Sequence, residues 1–163
     1  MPEGHIALGQ SDEFFEGSLE FAATLGPQFE EAVRAVRENP AMFPLFVVDP
    51  HSGPSGLITT VNVVREETTL TAEEYMRGAV GQFPPDLGRA VSQEMVSLER
   101  YQAGRIILDL LDAAGVAAGR EVVYLVRAGN AVYTITFFTG IDEFEARLPT
   151  FEQSIRTFTV REE

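Results

Sequence analysis

The chain has 163 residues, 45% of them hydrophobic, and a formal net charge of −13 from 25 acidic residues and 12 arginines, with no lysine and no cysteine. This is the length of about one domain, with enough apolar side chains for a sizeable core. The charge disfavours binding to nucleic acid or to an anionic membrane surface. The missing residue types exclude lysine Schiff bases, phosphate-binding lysines and thiolate nucleophiles or metal ligands.

Targeting signals are not visible in the sequence. The acidic N-terminus lacks a basic region followed by an apolar stretch, and no run approaches the roughly 18–20 apolar residues of a membrane-spanning helix. We therefore expect no membrane insertion and a cytoplasmic location for the chain as it stands. An extracytoplasmic protein that had lost its export signal would look the same.

The first 40 residues predict a short edge strand at Ile6 and Leu8, followed by two helices. Ser11 can cap the first helix, and Pro27 can open the second, which Asn39-Pro40 would stop. We expect one domain over residues 1–163, with this acidic helical segment packed on it.

The middle of the chain alternates strands with one helix. Leu45–Val48 and Leu57–Arg65 predict strands, and Thr71 with Glu74 predicts a capping box at the start of a helix that ends near Phe83. Further strands are expected over Met95–Tyr101 and Gly104–Leu111, followed by a small-residue loop over Ala113–Gly119.

The C-terminal third predicts a hairpin in a definite register. A two-residue turn at Gly129-Asn130 would align the flanking strands and give each a core-facing side. The expected cross-strand pairs are Val122 with Phe137, Tyr124 with Ile135, and Val126 with Tyr133. A short turn over Asp142–Arg147 and a helix over Pro149–Thr157 would follow. Because the strands are joined by short loops, the expected class is α+β, a mainly antiparallel sheet with helices packed on it.

An apolar strip is predicted on the second face of this hairpin. Val123, Leu125, Val132 and Phe138 would form it. If helices cover the strip, it is core; if they do not, it is a candidate interface for a partner or for self-association.

The turn-rich loop containing Asp49, His51 and Ser52 is a candidate functional loop. A hydrolase would use Ser52 as nucleophile and His51 as base, although triad members usually come from separate elements. An exposed turn explains the same residues through their local geometry. We therefore predict no catalytic residue here.

Carboxylate pairs elsewhere also have structural explanations. Asp109 and Asp112 on one strand would point to opposite faces and could not share a proton, and the acids at helix starts match no EF-hand loop. We predict no cofactor and no metal.

The order of elements resembles the PsbP-like superfamily, which includes PsbP, DcrB-type and LpqN-type proteins. The resemblance lies in Thr60–Val64, in the two strands that flank Gly129, and in the Phe151–Phe158 helix-to-strand end. It implies an α/β/α sandwich that works as a non-enzymatic binding or assembly module, with no motif-matched functional residue.

Three functions therefore stand as hypotheses. The first is a protein-binding adaptor or chaperone-like accessory protein that performs no chemistry. The alternatives are a small hydrolase centred on the His51 loop and a carrier of a small apolar ligand. An apolar cavity of several hundred Å³ behind the hairpin would support the carrier.

Overall fold

The structure is a computed structural model that describes residues 6–8, 34, 38, 45–49 and 55–160. The predicted N-terminal helices fall almost entirely outside these residues, although Arg34 and Glu38 are helical.

The described residues form a seven-stranded antiparallel sheet with one helix on each face. The strands are β1 (Ile6–Leu8), β2 (Leu45–Val48), β3 (Thr60–Glu67), β4 (Gly88–Ser97), β5 (Gln102–Leu111), β6 (Ala117–Ala128) and β7 (Ala131–Gly140). The helices are α1 (Ala72–Gln82) and α2 (Ile141–Arg156). The spatial order is β1-β2-β3-β7-β6-β5-β4, so β4 lies at one edge. The architecture confirms the predicted α+β class.

The C-terminal hairpin has the predicted register. Val122 pairs with Phe137, Tyr124 with Ile135 and Val126 with Tyr133. Gly129 adopts a φ of 60°, which a side chain would disfavour, as a two-residue hairpin turn requires.

Two cores lie on opposite faces of the sheet. Beneath α2, the Phe137 ring stacks on Phe151 at 5.0 Å between centroids and meets the edge of Tyr124 at 6.2 Å. Beneath α1, Met76 packs with Ile106 and its neighbours on β5 and β6. The predicted capping box at the start of α1 is present, with Glu74 and Thr71 bonded to each other's backbone.

The predicted break near Pro149 is wrong. Instead of a turn followed by a short helix, α2 runs without interruption from Ile141 to Arg156 through Pro149. Phe144, Phe151 and Ile155 all lie buried against the sheet. Burying each such side chain stabilises the fold by about 1.5–3 kcal/mol, so together they outweigh the roughly 3 kcal/mol cost of an internal proline.

Strand boundaries around β4 also differ from the prediction. β4 begins at Gly88 and ends at Ser97, and the expected strand residues after it form a turn in which Leu98 N–H donates to the Tyr101 carbonyl at 2.8 Å. Residues 89–95 of β4 are exposed on both faces, and apolar residues do not recur at alternate positions there; Gly88 is buried and Val96 packs partly against the core beneath α2. The sequence of β4 therefore lacks the pattern that identifies a half-buried strand.

Candidate functional site

The predicted functional loop begins at the end of β2. Asp49 is described and buried, while His51 and Ser52 lie outside the described residues. The Asp49 Oδ2 accepts a hydrogen bond from Arg147 Nη1 at 3.0 Å, and its backbone N–H donates to the Thr59 carbonyl at 2.9 Å. The carboxylate thus serves to hold a guanidinium on α2.

This contact belongs to a larger polar cluster that links the loop to α2. Arg147 Nε also donates to Glu143 Oε2 at 3.1 Å, and the Ser55 hydroxyl donates to Glu143 Oε1 at 2.7 Å. A side chain at Gly140 would place its Cβ 2.1 Å from Ser55 Oγ, so glycine is needed for this approach. One guanidinium therefore neutralises two largely buried carboxylates.

An apolar cavity of about 350 Å³ lies beside this cluster, between α2 and the β2, β3 and β7 strands. Because α2 packs mainly on β6 and β7, the described helices cover β2 and β3 less on that face. Most of its wall is aliphatic or aromatic, including Leu45, Val47, Val61, Val63, Phe137 and Phe151.

The cavity has a polar margin. Asp49 and Thr59 border it at the end near Arg147, and the Thr59 hydroxyl is 2.8 Å from that of buried Thr139. The exposed Ser154 of α2 and the exposed Thr157, which follows the helix, also border the cavity. Such a volume with few polar groups is typical of sites for small molecules.

The apolar strip on the other face is mostly covered. Val123, Leu125 and Val132 are buried in the core beneath α1, and Phe138 is half-buried with its ring packed close above Gly119. The structure therefore places three of the four residues inside the protein, where a partner could not reach them.

Glu121 is a carboxyl on the same face of the sheet as the apolar strip. It pairs with Leu108 on β5 and with Phe138 on β7, and it is half-buried. Burial among these apolar neighbours raises the pKa of its carboxyl to about 7. In the sequence Glu121 directly precedes the apolar run from Val122 to Val126, and this was the signal that it lies in a buried strand.

Asp109 and Asp112 do not form a joint site. Asp109 is buried and bound by Arg120 Nε at 2.7 Å and Arg89 Nη2 at 3.4 Å. Asp112 caps the turn after β5 by accepting from the Ala114 and Val116 N–H groups. Within the described part of the chain, no three His, Asp or Glu side chains are grouped as a metal site requires.

Among the helices and strands whose burial is described, the edge strand β4 is the most exposed. Residues 89–95 are all exposed, on both faces of the strand, and β4 pairs only with β5 among the described strands. Val91, the extra residue of a bulge between Ala90 and Ser92, is 50% exposed, and Met95 is 39% exposed. An edge of this kind offers backbone groups and apolar side chains together.

No family model and no curated protein sequence matches the chain. Among solved structures it is similar to cyanobacterial PsbP (CyanoP) from Synechocystis sp. PCC 6803, with a TM-score of 0.60 and 11% identity over 99% of this chain and 84% of that one. It is also similar to PA94, a candidate regulator of unknown function from Pseudomonas aeruginosa, with a TM-score of 0.57 and 14% identity over 72% of this chain and 83% of that one.

At these identities the similarity establishes the architecture alone. In the described residues, no helix is long and apolar enough to cross a membrane. The chain has a PsbP-like fold, an antiparallel sheet between two helices.

Proposed function

We propose that the protein is a non-enzymatic binding module of the PsbP-like superfamily, and that it binds an extended segment of a partner protein along β4. The observation that carries this proposal is the exposure of residues 89–95 on both faces of an edge strand. A partner strand added to such an edge gains main-chain hydrogen bonds, while side-chain contacts select its sequence.

Contacts to apolar side chains would supply the selectivity. Leu87, Val91 and Met95 lie on or next to the strand and are 57%, 50% and 39% exposed. The bulge at Val91 interrupts the regular pairing of β4 with β5. Bulges on edge strands limit uncontrolled edge-to-edge aggregation. A partner with a matched apolar residue at this point would therefore be favoured over a random strand.

The test is a Val91→Lys substitution, because a charged side chain on an edge strand opposes the docking of another strand. Val116→Lys is the matched control: Val116 is 61% exposed but lies in the turn that precedes β6. Affinity capture at moderate salt from the native organism should recover a partner with the wild type and with V116K, and lose it with V91K.

Two other results would reject the proposal. Equal capture by V91K and V116K would move the interface away from β4. Failure to recover any reproducible partner, together with turnover in a hydrolase screen, would favour the enzyme hypothesis. Light scattering of the same three proteins distinguishes self-association, since a wild-type dimer that V91K alone dissociates would make the partner a second copy.

A further inference from the structure

The cavity beside α2 has the size and wall of a small-molecule site. Its volume, about 350 Å³, lies within the range of roughly 300–1,000 Å³ that is usual for ligand pockets. Its apolar wall includes side chains that are already shielded from solvent: Val47 is 8% exposed and Val63 4%. A concave apolar wall of this kind favours an apolar guest.

The charges around the cavity restrict what can enter. Among the described residues that line the cavity, Asp49 is the one ionisable residue and none is a cation. Arg147 binds both Asp49 and Glu143, so the described residues at this polar end include two carboxylates and one guanidinium. An anionic head group would meet net negative charge, whereas a hydroxyl or ammonium group could donate to the acceptors at the rim.

We infer that this cavity binds a small apolar molecule whose polar end is a hydrogen-bond donor, either uncharged or cationic, directed toward Asp49. The apolar part lies against Val61, Phe137 and Phe151, under α2. This site is separate from the β4 edge, because the cavity lies between α2 and the opposite half of the sheet.

The α2 helix offers a matched pair of variants. Ser154 and Gln153 are adjacent and both exposed, but only Ser154 borders the cavity. Phenylalanine at position 154 should obstruct the cavity from its margin, while the same residue at position 153 should leave it open. The full chain would be titrated with Nile red, an uncharged apolar dye whose fluorescence increases and shifts to the blue in an apolar site.

Saturable Nile red binding is expected for the wild type, about unchanged in Q153F and at least about tenfold weaker in S154F, which corresponds to about 1.4 kcal/mol. Binding by neither wild type nor Q153F, or equal loss in Q153F and S154F, would overturn the inference. Competition then tests the head group. 1-Octanol and octylammonium should displace the dye at concentrations at least about tenfold below octanoate; equal displacement by octanoate would refute the charge argument.

A measurement on the wild type alone keeps the test decisive if S154F does not fold. Methyl NMR during addition of 1-octanol should shift the resonances of Val61, Val63 and Ile135, which face the cavity. The methyl groups of Ile106 and Val123, in the core beneath α1, should not move. Shifts confined to the α1 side would place binding elsewhere and overturn the assignment.

Discussion

At the residue scale, Glu121 is a carboxyl on a central strand with apolar cross-strand neighbours. Its position follows from strand alternation, since the adjacent Val122 faces the core beneath α2 and is fully buried. Glu121 must then face the other side of the sheet, next to Leu108 and Phe138. Burial there costs free energy when the group is charged, which makes this residue a pH-dependent weak point of the fold.

The pKa of Glu121 determines the direction of that pH dependence. Its value rises from 4.5 to about 7 on folding, so the native chain binds more protons than the unfolded chain between these pH values. The protonated Glu121 carboxyl therefore contributes its full stabilisation below pH ~4.5. This contribution to the free energy of unfolding is lost as the pH rises through about 7. Allowing for partial solvent screening, the loss is roughly 1–3 kcal/mol.

Replacing Glu121 by the neutral Gln should remove this pH-dependent loss of stability. We expect E121Q to be more stable than the wild type at pH 8, by roughly 1–3 kcal/mol, and of similar stability at pH 5. Urea unfolding of both proteins across this pH range is the measurement, with Glu99→Gln, in the exposed turn after β4, as the control. An E121Q advantage that is the same at pH 5 and pH 8 would contradict the assignment.

At the scale of elements, α2 is a helix whose local sequence opposes it and whose packing maintains it. Pro149 lies within α2 and cannot donate a backbone hydrogen bond to the preceding turn. Two ion pairs also join the helix to the sheet. Arg105 Nη2 on β5 is 3.3 Å from Glu152 Oε1, and Arg120 Nη1 on β6 is 3.6 Å from Glu145 Oε1. Tertiary contacts therefore decide the length of this element.

Pro149→Ala should stabilise the protein. The substitution restores a helical N–H donor, and the helix gains more from this than the unfolded chain gains in freedom, so an increase of about 1–2 kcal/mol is expected. Pro85→Ala, in the turn before β4, should change stability by less than about 1 kcal/mol. Thermal unfolding of the two variants compares them directly. A destabilised P149A would mean that the proline shapes α2 to fit the sheet.

At the scale of the whole molecule, the Arg147 cluster joins parts of the chain that are far apart in sequence. Asp49 and Arg147 are 98 residues apart, and Ser55 and Glu143 are 88 apart. These contacts attach the end of β2 to α2 beside the cavity. Because Asp49 and Glu143 are both buried, removing their shared cation would leave two carboxylates without that compensation.

Arg147→Met should therefore destabilise the protein by about 3–5 kcal/mol. Arg77→Met provides the contrast: Arg77 pairs with Glu73 on the exposed surface of α1, where such a pair contributes about 0.3–0.5 kcal/mol. Chemical denaturation of both variants at neutral pH measures the difference. Equal losses for R147M and R77M would show that the cluster contributes no more than a surface ion pair.

The local sequence by itself determined the class of the fold, the C-terminal register and the α1 cap. Each of these depends on residues close in the chain: the Gly129 turn aligns its own strands, and Thr71 and Glu74 bond within one helical turn. From Val122 to Val126 every side chain is apolar and both faces of the strand are buried, so the sequence predicted the register of the hairpin but not the cover on its second face. The assignment of His51 and Ser52, which lie outside the described residues, stays a prediction.

Only the tertiary structure decided the course of α2, the extent of β4 and the position of the cavity. The helix through Pro149 depends on burial of its apolar side chains against β6 and β7, and β4 shows no alternation because residues 89–95 are exposed on both faces. The cavity arises from where α2 lies on the sheet, and Asp49 meets Arg147 only after the whole chain has folded. Short-range patterns record local hydrogen bonds and strand faces, whereas these features depend on long-range packing, which no sequence window contains.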